Sequence, residues 1–256
     1  MCATFELVNE EPRSMRSVAK GLAVLLVAVL SASQAYADLV AGWDFQTTAN
    51  GGTAVLAAPN TPKQFIANFG SGTLFLNGQN GASDWVSAAS NSELTAFTGT
   101  AVNAGPGFST VTTSPAALAL VNQTASSTNG KHAVFRFSMA GFQDLVVSYA
   151  SQRSGTGFTN QAWSFSTDGV NWTDHQTITG LPGSFATQTL STITGLNGAT
   201  DAYLRLTVTG ATVAAGNNRL DNIQFNATAV PEPTSLLLLG SVALGGIAYR
   251  RVRNRS

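Results

Sequence analysis

The chain has 256 residues, of which only 10% are charged; 13 basic and 13 acidic side chains leave no formal net charge. A single cysteine, Cys2, excludes a disulfide framework. Abundant Thr, Ser, Asn, Gly and Ala, with little Lys or Glu, favour strands over helices.

In chain order, Met15-Arg16-Ser17-Val18-Ala19-Lys20 forms a basic segment, Gly21 to Leu30 an apolar one, and Ala35-Tyr36-Ala37 a small-x-small cleavage site before Asp38. Residues 1–37 thus read as a Sec signal peptide, handled by the Sec translocon and removed by signal peptidase. Glu6, Glu10 and Glu11 do not suit such a leader, so translation is expected to begin at Met15. Either start leaves residues 38–230 free of cysteine. These 193 residues are long enough for one domain with a real core. Six basic and nine acidic side chains give the domain a formal charge of −3 without a basic run, which argues against nucleic-acid binding.

Strand patterns then recur about every 10–15 residues. Leu39 to Phe45 is the first, and Gln64 to Phe69 and Thr73 to Leu76 follow. Residues 82–130 read as long loops around short strands such as Ala117 to Val121, with one short helix over Ser90 to Phe97. His132 to Ser138 alternates with period two, setting Val134 on the face opposite Phe135 and Phe137. Asp144 to Tyr149 comes next, then a hairpin, Trp163 to Thr173, turning on Asp168-Gly169. Phe185 to Ile193, Ala202 to Thr209 and Arg219 to Phe225 complete the series, and Ala227 to Val230 reads as a linker. The expected fold is all-β, an antiparallel two-sheet sandwich of jelly-roll type.

Val230-Pro231-Glu232-Pro233 leads into residues 234–249, which carry no charge, and then into Arg250, Arg251, Arg253 and Arg255. Sixteen helical residues span roughly 24 Å, a short transmembrane helix that interfacial anchoring can extend. The arginines hold the tail on the cytoplasmic side, and the prolines keep the preceding segment extended. On spacing alone this is either a permanent anchor or a segment cut by a protease.

The order of Val-Pro-Glu-Pro, apolar helix and terminal arginines resembles the PEP-CTERM sorting signal of Gram-negative bacteria. The resemblance implies recognition of Pro231, Glu232 and Pro233 by exosortase, a membrane-embedded cysteine protease. It further implies transient residence in the inner membrane, removal of the helix, and delivery to the cell surface or extracellular matrix. By the same resemblance, exopolysaccharide is the implied partner and biofilm the implied setting. Residues 131–226, which hold the Ser-Phe-Ser-Thr-Asp-Gly-Val-Asn-Trp hairpin, the Tyr-Leu-Arg-Leu strand and the closing Leu-Asp-Asn-Ile-Gln-Phe strand, more loosely resemble jelly-roll modules of secreted bacterial proteins, among them carbohydrate-binding modules and galactose-binding-like domains.

Catalytic constellations are scarce. The one glutamate between residues 38 and 230 is Glu93, and Asp168 and Asp201 sit in turns, so no facing carboxylate pair is evident. There is no Gly-x-Ser-x-Gly and no His-Glu-x-x-His, and His132 and His175 read as solvated strand positions. Asp221 and Asp44 suit a structural calcium ion, as in the calcium-bearing jelly rolls that the fold resembles; a hydrogen bond or an ion pair of Asp221 with Arg219 is the alternative. Trp85, Trp163 and Trp172 are candidates for stacking on sugars, against cross-strand packing of Trp163 on Trp172. The sequence therefore reads as an exported, non-enzymatic surface or matrix protein, with a carbohydrate-binding module as the alternative.

Overall fold

A computed structural model describes residues 37–230. Thirteen strands run in the order β1 (Ala37–Trp43), β2 (Gln64–Ile66), β3 (Phe69–Gly70), β4 (Gly72–Phe75), β5 (Leu94–Phe97), β6 (Ala117–Val121), β7 (His132–Phe137), β8 (Phe142–Arg153), β9 (Asn160–Ser166), β10 (Thr173–Thr179), β11 (Ala186–Thr189), β12 (Ala202–Thr209) and β13 (Asn217–Ala229). They form two sheets in which every strand pair is antiparallel. One sheet is ordered β11-β8-β13-β1-β3, with β6 also paired to β13 and β5 to β6; the other is ordered β10-β9-β12-β7-β4-β2.

Period-two alternation decides which face each strand buries. In β12, Ala202, Leu204, Leu206 and Val208 face the core, while Tyr203, Arg205 and Thr207 face outward. In β7, Ala133, Phe135 and Phe137 are the core residues, and Val134 on the other face packs with Phe75, Ala82 and Tyr203. The core closes on aromatic edges: Trp43 meets Phe135 at 5.1 Å and Phe225 at 5.2 Å between ring centroids. The Trp43 indole donates to the Phe65 carbonyl at 3.1 Å, so its one polar atom is satisfied inside the core.

Four local expectations change. Ser90 to Phe97 is not helical: residues 94–97 form β5, because Leu94 and Ala96 share one face and pair along β6. Gln64 to Phe69 breaks into β2 and β3, since Asn68 turns its amide to the Gly42 carbonyl and Phe69 pairs with β1 in the other sheet. The Trp163–Thr173 hairpin has a longer loop than an Asp-Gly two-residue turn, with β9 ending at Ser166 and β10 starting at Thr173. Gly169 still supplies the positive φ, +71°, and Asp168 accepts the Val170 and Asn171 amides at 2.8 Å. Finally, Ala227 to Ala229 is not linker but the end of β13, paired with β1 on one side and β8 on the other.

Candidate functional site

Three places carry the chemistry that the sequence singles out. The first is the C-terminal exit. β13 sits between β8 and β1, with Thr228 opposite Ala37 and Ala229 opposite Phe142. The Val230 amide donates to the Gly141 carbonyl at 2.8 Å, so backbone pairing runs to the last residue before Pro231. Pro231, Glu232, Pro233, the 234–249 helix and Arg250, Arg251, Arg253 and Arg255 lie outside the described residues, as does the signal peptide through Tyr36. Among the described residues no helix is long and apolar enough to cross a membrane.

The second place is the junction of β1, β13 and the 98–110 loop. Asp44 and Asp221 are both fully buried, at 0% exposure. Asp44 accepts the Gln46 amide at 3.0 Å, the Thr47 amide at 2.8 Å, the Thr47 hydroxyl and the Ser109 amide at 2.9 Å. Asp221 accepts the Thr100 and Asn222 amides, both at 2.9 Å. Burial pushes the Asp221 carboxyl up to about 8; those two amides oppose the rise, and the charge of Asp44 adds to it. Arg219 is not its partner, since that guanidinium lies over Phe97 at 4.3 Å.

The fit to calcium is partial. Asp221 keeps acceptor capacity, and the neighbouring buried Asn222 Oδ1 receives no hydrogen bond. Asp44, with four donors, is nearly saturated. Among the described residues no three His, Cys, Asp or Glu side chains cluster, so a cation here would depend on carbonyl and carboxamide oxygens beside the two aspartates. Asn222 at positive φ was not legible in the sequence; its neighbour Asp221 was the only signal.

The third place is the outer face of the six-stranded sheet. The three tryptophans do not meet there. Trp85 is fully buried and donates to the His132 carbonyl at 2.9 Å. Trp163, 2% exposed, faces the core and donates to the Tyr149 hydroxyl at 3.0 Å. Neither offers a face to a sugar, and Trp163 stands opposite Gln176 rather than Trp172. Trp172 is half-buried against the Phe75, Ala82, Val134 and Tyr203 cluster, with the Arg205 guanidinium 4.3 Å from its ring centroid. Sequence reasoning missed Arg205, although the alternation in Tyr203-Leu204-Arg205-Leu206 already sets it opposite the core residues.

Several of the other titratable side chains have partners. Glu93 pairs with Lys131, Asp84 with Lys63 and Asp201 with Arg136. Asp168 holds its own turn, whose donors keep its carboxyl well below the usual range. His132 Nδ1 lies 2.9 Å from the Thr207 hydroxyl, and His175 Nε2 lies 3.1 Å from the Ser191 hydroxyl. Ser191 also donates to Gln176 at 3.1 Å, so this exposed pair ties β10 to the chain after β11.

No curated protein matches the chain in sequence. Among solved structures, the xylan-binding CBM22-1 domain of Paenibacillus barcinonensis Xyn10C is similar at 9% identity and TM-score 0.40, over 78% of this chain and all of that one. A CBM61 module solved with β-1,4-galactotriose matches at 13% identity and TM-score 0.33, over 57% of this chain and 94% of that one. The K2 adhesin domain of Lys-gingipain matches at 14% identity and TM-score 0.32, over 46% and 75%. Likenesses this distant say nothing of ligand or activity. The family comparison is local and specific: over residues 229–253, beginning on the last residue of β13, the chain carries a PEP-CTERM protein-sorting motif.

Proposed function

We propose that residues 38–230 are an exported, non-catalytic sandwich that exosortase delivers to the cell surface or extracellular matrix, where it associates with exopolysaccharide. The observation that carries this is the sorting motif joined directly to a folded β-domain. The pairing of Glu93, Asp84 and Asp201 with basic side chains, and of His132 with Thr207, supports a non-catalytic role. The proposal is tested by the intact mass of the native protein from surface and medium fractions. A species running from Asp38 to about Val230 is expected. One that retains residues 234–256 would mean a permanent anchor and would overturn the sorting reading.

A carbohydrate-binding module is the second reading, and half-exposed Trp172 on the outer sheet face favours it. Binding to a neutral glycan array that disappears in Trp172→Ala would support it; an array without signal would remove it. Asp44 and Asp221 would hold a structural calcium ion in either case, neutralising two buried carboxylates that have no basic partner among the ion pairs of the described residues.

A further inference from the structure

We propose that the outer face of the six-stranded sheet binds an anionic polysaccharide, with Arg205, stacked on Trp172, as its carboxylate-recognising group. This rests on the reading that the domain works among extracellular polysaccharides, and it adds the class of polymer.

Register sets Arg205 in the middle of that face, between Ser164 on β9 and Val134 on β7. Its Nε donates to the Ser164 hydroxyl at 3.1 Å, and the indole of Trp172 supports the guanidinium plane at 4.3 Å. Together these fix the orientation of the fork. Its two terminal nitrogens have no hydrogen-bond partner among the described residues, and none of the three ion pairs there includes Arg205. An oriented, half-desolvated guanidinium with unused donors is suited to bidentate capture of a carboxylate.

The next cross-strand row suits a sugar. Thr207 stands between Ala162 and His132, so one row carries a hydroxyl, a methyl and an imidazole. Burial and the charge of Arg205 hold His132 below its ordinary pKa; its Nδ1 engages the Thr207 hydroxyl, which leaves Nε2 for a ligand. Asp174 stands opposite Ser164; burial lowers the pKa of Arg205, and the charge of Asp174 opposes that only in part. It tempers the positive charge of the face without pairing with it.

The test is retention of the full-length protein, solubilised in detergent, on immobilised polygalacturonate, with dextran as the neutral control. Selective, salt-sensitive retention on polygalacturonate is expected. Arg205→Gln should weaken it about tenfold, the loss of one charge-assisted pair. Asp174→Asn, at an exposed position, should strengthen it about twofold by removing a competing charge. Arg219→Gln, on the other sheet, should leave retention unchanged, and thermal midpoints check that each variant is folded. Equal retention on dextran, no retention at all, or retention indifferent to Arg205 and Asp174 would overturn the proposal. None of these outcomes bears on the C-terminal processing, which intact mass reads separately.

Discussion

Burial of Asp221 beside Asp44 makes stability depend on pH. The native carboxyl, with a pKa of about 8, holds its proton where the unfolded one, near the ordinary 3.8, has lost it. The stabilising contribution is therefore complete below pH 4 and disappears as the pH rises through 8. In calcium-free buffer the thermal midpoint should fall between about pH 5 and pH 9 through this group, and Asp221→Asn should flatten that slope. Calcium added at pH 8 should restore the wild-type midpoint and leave the variant unmoved; no effect on either would remove the calcium proposal. Asp44 and Asp221 stood out in the sequence through the likeness to calcium-bearing jelly rolls. The tryptophans could not be sorted in the same way. Alternation says which residues share a face, not which face is covered, and only the packed sandwich separates Trp85 and Trp163 from Trp172.

At the scale of elements, alternation marks the residues of β12, and a short apolar run marks those of β6. β5 was not legible, because Ser90-Asn91-Ser92-Glu93 resembles a helix start while its strand character comes from pairing with β6, distant in sequence. Glu93, within the expected helix, accepts the Val86 amide at 2.8 Å and pairs with Lys131, just before β7. Its side chain is 7% exposed and that of Lys131 22%, so removing one partner strands a charge. Lys131→Met should cost about 3 kcal/mol in denaturant unfolding, and adding Glu93→Gln should recover part of it. A loss below about 1 kcal/mol would mean that water already reaches Glu93 and that the pair does not pin β5 to β7.

For the whole molecule, the sorting motif was legible, but its relation to the fold was not, because that follows from strand order. β1 and β13 are antiparallel neighbours, so Asp38, expected to be the new N-terminus, stands opposite Ala227, four residues before Pro231. β13 is paired on both sides and is the last strand to be exported, so that sheet cannot close until the sorting motif itself has been reached. Once it closes, the Val230 amide is held by Gly141 and no slack separates the folded edge from Pro231. A protease that binds its substrate extended must then cut on the C-terminal side of Val230 or wait for the end of β13 to open. Inserting eight Gly/Ser residues between Val230 and Pro231 adds a flexible tether of about 15 Å and should speed conversion of the folded precursor several-fold in a pulse-chase followed by mass. An unchanged rate would mean that the cut precedes closure of β13, and that the sheet is completed only after the tail has been removed.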